Sequence, residues 1–325
     1  MTRVLVTGGS GFIGTNLVER FIARGDMVLN LDTAAPRCSS HAAAWRNVDI
    51  LDGAALARVI KEFDPEVVLH MAARTDLDGR NVADYPANTE GVSNLITALR
   101  QLRSLRLAVF ASSMLVCRIG YQPRAEDDYV PSTAYGSSKI EGELLVRREV
   151  GDAFPWVLLR PTSIWGPWFG SPYRDFFTAV ERGWYVHPRG RNIRRNYGFV
   201  LNSVYQIERL VDTGGAGLLK RTVYMGDYDP IELKSWANQI QITLGVRPVR
   251  EVPLFVFRAA AKFGDLLKSV GIKFFPMTSF RLNNLLTDCL LDTGPIEHAV
   301  GRLPYDMPTA VAVTCAWLKA EAVHR

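Results

Sequence analysis

The sequence predicts an α/β fold: a doubly wound parallel sheet with helices on both faces, followed by a smaller, discontinuous C-terminal lobe. Three observations carry this. Short β-branched runs alternate with amphipathic stretches from residue 1 to about 165. The runs are apolar throughout rather than alternating, which marks strands buried on both faces. Past Arg160-Pro161 the alternation stops and a segment dense in Gly, Pro, Trp, Tyr and Arg begins.

Taken in order, Val4-Leu5-Val6 reads as the first strand and Asn16 to Arg24 as the first helix. Val28-Leu29-Asn30-Leu31, Val67-Val68-Leu69, Leu107-Ala108-Val109-Phe110 and Trp156-Val157-Leu158-Leu159 read as further strands. Gly53 to Glu62 and Val92 to Arg103 are the helices between them. Ligands of such sheets sit beyond the carboxyl ends of the strands. Segment 166–198 reads as a loop-dominated binding surface. Helical periodicity returns at Leu233 to Leu244 and Leu254 to Leu267, with a final helix from Thr309 to Ala322. Residues 1–165 are thus expected to form the first domain, with a returning segment near 196–212, and 166–325 mainly the second lobe.

Composition excludes several classes. With 325 residues, 48% hydrophobic and 22% charged, the chain is neither disordered, collagenous nor coiled coil. No apolar run is long enough for a membrane span, and the N-terminus opens on a strand and turn rather than a signal peptide, so a cytoplasmic location is the default expectation. Cys38, Cys117, Cys289 and Cys315 are scattered and read as free thiols; the five histidines are equally dispersed, and no metal is expected. The net charge is +5, and much of the excess lies in Arg182, Arg189, Arg191, Arg194 and Arg195. That concentration reads as a local anion site rather than a nucleic-acid surface.

Residues 7–14 read Thr7-Gly8-Gly9-Ser10-Gly11-Phe12-Ile13-Gly14, directly after the first strand and before the first helix. Gly8 permits a tight turn, Gly11 lets backbone approach a pyrophosphate, and Gly14 lets helix and strand pack closely. Phe12 and Ile13 open the helix, whose N-terminal amides face the phosphates. The first domain is therefore read as a Rossmann-type dinucleotide site. Asp32, 18 residues after Gly14, suits the adenosine ribose hydroxyls and favours NAD over NADP; Arg37 nearby is the residue that would instead hold a 2′-phosphate. Asp49-Ile50 follows a short strand and is placed at the adenine.

Tyr135 and Lys139 stand four residues apart on a helix that starts near Pro131-Ser132-Thr133, so they share a face. A phenol ionises near pH 10, and an adjacent ammonium favours its phenolate. Phe110-Ala111-Ser112-Ser113 ends a strand on the cofactor edge, where a hydroxyl can donate to a substrate oxygen. Ser113 is the preferred donor and Ser112 the second choice.

With these residues the chain resembles an extended short-chain dehydrogenase/reductase of the NAD-dependent sugar-nucleotide epimerase/dehydratase family, clearly from residue 1 to about 230. The likeness also rests on His70-Met71-Ala72-Ala73, on Asn88 followed by Gly91, and on Arg160-Pro161-Thr162-Ser163-Ile164-Trp165-Gly166-Pro167. It implies Tyr135 as general acid/base, Lys139 as ribose holder and Ser113 as polarising hydroxyl. It also implies Ala72 and Ala73 beside the nicotinamide, Asn88 in the cofactor site and Thr75 near the substrate. A UDP- or GDP-linked sugar is the implied substrate, and a homodimer through 92–103 and 137–149 the implied assembly.

Several positions depart from the family pattern. Met114-Leu115 replace the Asp-Glu pair of dehydratases, which disfavours dehydration. Ser163 stands where many relatives have an asparagine on the diphosphate. Arg195 resembles the arginine that pairs with diphosphate, and Arg281 is a candidate for a second cation the family usually supplies. The apolar runs at 253–261 and 274–280 read as an ordinary packed helix or as a greasy pocket like that of the hydroxysteroid branch. The first functional reading is a 4-epimerase working through a transient keto sugar. The alternatives are a net reductase or dehydrogenase of a 4-keto sugar nucleotide or an apolar alcohol, and a non-catalytic NAD-binding regulator, which would be expected to lack Tyr135 or Lys139.

Overall fold

The computed structural model describes residues 1–269 and 278–323. Its strands are β1 (Arg3–Thr7), β2 (Met27–Asp32), β3 (Trp45–Asn47), β4 (Val67–His70), β5 (Leu107–Ala111), β6 (Trp156–Pro161), β7 (Ser163–Trp165), β8 (Val186–Pro188), β9 (Arg194–Arg195), β10 (Tyr197–Phe199), β11 (Thr222–Met225), β12 (Ile231–Glu232) and β13 (Arg250–Val252). Seven of them form one sheet in the order β11-β6-β5-β4-β1-β2-β3, every pair parallel. The order reverses between β1 and β4, and a crevice opens at such a switch point. Every strand expected from the sequence lies in this sheet.

Both faces of the sheet are covered. On one pack α2 (Gly53–Phe63), α3 (Glu90–Leu99) and the end of α4 (Ala134–Leu145), with Leu5, Leu31, Ile60, Leu95 and Phe110 among the residues they bury. On the other pack α1 (Phe12–Ala23), α6 (Val200–Asp212) and α10 (Gly294–Val300), around Val4, Val6, Phe21, Ile207 and Ile296. The side chains of β1 thus divide by parity between two cores, as the two-residue repeat of a strand requires. Two-sided burial is why these runs carry no polar alternation.

The chain beyond residue 165 returns to this first unit more often than the expected boundary implies. Besides α6, β11 forms the sheet edge beside β6, and α10 packs on β11 and α6. The second lobe is built from α5 (Tyr173–Glu181), α7 (Leu233–Leu244), α8 (Leu254–Ser269), α9 (Ser279–Leu286) and α11 (Met307–Val323). Its core is aromatic: Trp165 lies 5.2 Å from Phe199 and 5.1 Å from Trp236, ring centre to ring centre. Segment 166–198, expected to be mainly loops, holds α5 because Phe177 and Val180 are buried in that cluster. Tertiary burial there outweighs the local turn-forming residues. The apolar residues 274–277 of the proposed greasy run lie outside the described residues.

Candidate active site

A cavity of about 960 Å³ lies at the switch point, beyond the ends of β1, β2, β4 and β5. Its floor is the glycine turn. Gly8 has φ +71, and a Cβ there would sit 2.5 Å from the Ala72 amide nitrogen. A Cβ on Gly14 would sit 2.1 Å from the Gly8 carbonyl oxygen. The backbone is therefore held close by the lack of side chains, and the first turn of α1 opens towards the cavity with Gly11, Phe12 and Ile13 on its wall. Such a cradle fits a pyrophosphate.

At the far end Asp32 is oriented by two amides: its carboxylate accepts N–H bonds from Ser10 (3.0 Å) and Ala34 (2.9 Å). Each oxygen keeps a lone pair for a ribose hydroxyl. Arg37, the competing candidate, donates instead to the carbonyls of Ser10 (3.0 Å) and Trp168 (2.5 Å). The structure thus commits two of its nitrogens to backbone. Asp49 and Ile50 form the adjacent wall, and Ala72, Ala73 and Thr75 the opposite one.

Ser113, Tyr135 and Lys139 line the same cavity. Thr133 caps α4 by accepting the Gly136 amide (3.0 Å), which starts the helix so that Tyr135 and Lys139 fall one turn apart on its inner face. The Ser113 hydroxyl lies beside that of Tyr135 and favours its phenolate form. Burial raises the Tyr135 pKa above its ordinary value, with Ser113 opposing and Tyr85 adding to the rise. This differs from the lowering expected from Lys139, because excluding water from a phenolate costs more here than the neighbouring groups return. Lys139 is fully enclosed; burial pushes its ammonium down to about 8 while Glu143 holds it up.

Nine residues marked from the sequence stand differently. Ser112 borders the cavity, but its hydroxyl donates to the buried Glu143 carboxylate, so Ser113 is the donor left facing the cleft. The Asn88 side chain accepts the Arg74 amide (2.9 Å) and donates to the Arg74 carbonyl (3.0 Å) and Ser138 Oγ (2.9 Å); it ties a loop to α4 behind Lys139 rather than lining the cofactor cavity. Thr162, just before β7, and Ile164 within it border the cleft, whereas Ser163 between them points away, against Met114 Sδ and Tyr173. Arg195 donates to the carbonyls of Asn284, Leu285 and Thr287 at the end of α9, where cations satisfy exposed helix carbonyls. Arg281 sits exposed in the first turn of α9, apart from the cavity. Arg182, Arg189, Arg191 and Arg194 are all exposed and none borders it, so the expected anion site does not form there.

Sequence reasoning also missed a buried network. Glu143 lies one turn beyond Lys139 and accepts two bonds from Arg160, Nε at 2.8 Å and Nη2 at 2.7 Å, and one from Tyr129 (2.9 Å). The Arg160 guanidinium lies over the Tyr129 and Tyr224 rings. One carboxylate thereby joins the ends of β5 and β6 to α4. The signal was present as a third polar residue in the Tyr135, Lys139, Glu143 stripe. Behind it, His70 Nδ1 meets Thr7 Oγ1 at 2.7 Å, and burial, aided by Lys139, lowers the imidazole to about 3, so it stays neutral.

Comparison with known proteins places the chain. The model of the NAD dependent epimerase/dehydratase family matches residues 4–182. A 3-beta-hydroxysteroid dehydrogenase of Mycolicibacterium neoaurum is 29% identical over 263 residues, 75% of this chain and 70% of that one. A UDP-glucose 4-epimerase of Mycolicibacterium smegmatis is 32% identical over 182 residues, 51% of this chain and 57% of that one. The crystal structure of a UDP-glucuronic acid 4-epimerase from Bacillus cereus in complex with NAD superposes with a TM-score of 0.75 at 16% identity, covering 98% of this chain and 96% of that one.

Proposed function

The chain belongs to the NAD dependent epimerase/dehydratase family, and from that premise we propose that it transfers hydride at a secondary alcohol or ketone carbon of a largely uncharged, apolar substrate. The family's cofactor, when bound, supplies the hydride acceptor as NAD or the donor as NADH. Gly8, Gly11, Gly14 and Asp32 would hold it. Tyr135 Oη exchanges a proton with the substrate oxygen: it takes the hydroxyl proton in oxidation and returns it in reduction. Ser113 Oγ, facing the cleft beside Tyr135, donates its one hydrogen to the same oxygen and fixes its direction. Lys139, buried and cationic at neutral pH, favours the phenolate from one turn away.

The observation that carries the substrate class is the position of Arg195. Its Nη2 donates to carbonyls at the end of α9 and it does not border the cavity, whose lining includes Arg74, Pro86, Ala87, Pro161, Thr162 and Ile164. A diphosphate needs paired cationic donors, and the guanidinium on this wall, Arg74, is already bound to the Asp76 carboxylate and the Asp84 carbonyl. Dehydration is disfavoured on similar grounds: Met114 and Leu115 pack with Tyr224 and Cys289 in an apolar cluster, leaving no carboxylate beside Ser113.

A second reading, the sugar-nucleotide 4-epimerase, is supported by the 32% identity to a UDP-glucose 4-epimerase over 182 residues. It uses the same three side chains, with hydride returned to the opposite face of the keto carbon. One experiment separates them. The protein is incubated with NAD and a panel of hydroxysteroids, prenylated alcohols and UDP- or GDP-sugars, while NADH absorbance and product configuration are followed together. Lasting NADH with an apolar alcohol supports the first reading; a new sugar isomer without lasting NADH replaces it with the second. Tyr135→Phe should abolish whichever activity is found, and undiminished turnover would remove the catalytic assignment.

A further inference from the structure

Helix α8 has an inner stripe that is well packed: Phe257 and Ala261 are buried against Leu282, with Val186, Val252, Leu254, Leu285 and Leu286 around them. The outer face of a surface helix is ordinarily polar. Here it carries Phe255, 70% exposed, with Val256, Phe263 and Leu266 also exposed. Interleaved with them are Arg258 and Lys262, both exposed. Arg189 stands just before its first turn, because the Arg189 amide donates to the Val252 carbonyl at 2.9 Å where the helix is about to begin. The one exposed carboxylate in the helix, Asp265, accepts the Ser279 amide.

We infer that this face of α8, with Arg189 at its start, docks the protein on an anionic lipid surface. Aromatic and aliphatic side chains on one helical face, bordered by Arg and Lys, match the pattern of a helix lying in the headgroup plane. The basic groups suit lipid phosphate and the apolar ones the acyl boundary just below it. Size argues against a second copy of the chain as occupant. A 16-residue helix is about 24 Å long and about 10 Å wide, so its face offers about 240 Å², far below the roughly 800 Å² per partner of a stable complex. Among the described residues no helix is long and apolar enough to cross a membrane, so the contact is a lying-on one. The surface is separate from the catalytic cavity, and the inference stands independently of the reading of the reaction.

The test is flotation of the full chain with vesicles of phosphatidylcholine alone and with about one third phosphatidylglycerol added. Sedimentation velocity without lipid and thermal melting serve as controls for assembly and folding. Binding to the anionic vesicles is expected, and at least about tenfold weaker binding for Phe255→Ser with Val256→Ser and, separately, for Arg258→Glu with Lys262→Glu, each melting like the unaltered protein. Absence of binding to either vesicle overturns the inference. So does an apolar variant that binds as well as the unaltered chain, which would reduce the attraction to charge alone. A dimer dissolved by the apolar variant, with no vesicle binding, would also overturn it and assign the face to a second copy.

Discussion

Glu143→Leu is the perturbation whose outcome the structure constrains most closely. The Glu143 and Arg160 side chains are 0% and 2% exposed. Removing the carboxylate strands the guanidinium and also takes the acceptor from Ser112 and Tyr129. Breaking a buried pair from one side costs about 3–5 kcal/mol, a large part of the roughly 5–15 kcal/mol that holds a domain folded. Arg160→Met strands the carboxylate and should cost a similar amount. The double variant removes both charges together, leaving chiefly the two stranded hydroxyls, so its cost should be about 2–4 kcal/mol rather than the summed 6–10. Urea unfolding of the four proteins, analysed as a double-mutant cycle, measures the difference. Additive losses, or a single-variant loss under about 1.5 kcal/mol, would show that the pair does not act as one buried unit.

Three further outcomes can be checked. Burial raises the Asp227 carboxyl to about 7 against hydrogen bonds from Asn202 and the Phe199 amide. Its contribution to stability is full below about pH 4 and lost progressively as pH rises to about 7, on the order of 4 kcal/mol in total, so Asp227→Asn should flatten the melting temperature between about pH 4 and 7; an unchanged slope contradicts this. In Gly14→Ala the new methyl would meet Gly8 O at 2.1 Å and Gly9 Cα at 2.7 Å, all backbone. NAD titration calorimetry should show affinity reduced at least about tenfold, with about 1–3 kcal/mol of stability lost, and undisturbed binding would contradict the cradle. Asp32→Ala removes the carboxylate that suits a free ribose, and the ratio of NAD to NADP efficiency should fall about tenfold to a hundredfold; a preserved ratio would move discrimination elsewhere.

What could be read beforehand follows from how local each signal is. The five long strands were visible because burial on both faces writes an uninterrupted apolar run, and the glycine turn because its geometry excludes side chains at fixed spacing. Tyr135 and Lys139 were visible because one helical turn puts them together. The placement of Arg195 was not legible, since an arginine that satisfies helix carbonyls and one that grips phosphate look alike in a sequence; only the position of α9 distinguishes them. Ser112 and Ser113 are adjacent and alike, and they were separated by Glu143, whose approach depends on the packing of α4. Helix α5 was hidden among turn-forming residues because its stability comes from Trp236 and Phe199, distant in the chain.

The placement of β11 bears on how the protein can be synthesised and dissected. The family-matched stretch ends at residue 182, yet the strand beside β6 is supplied by residues 222–225 and its covering helix by 294–300. A fragment truncated after 182 would present the unpaired rim of β6 and a bare greasy slab, the kind of template on which chains aggregate. On the ribosome the rim of β6 stays unpaired until residues 222–225 emerge, and part of the slab stays uncovered until 294–300 follow. Holding that intermediate apart from its neighbours is therefore a task for slow translation or a chaperone, and expression of the nucleotide-binding half alone should yield insoluble material.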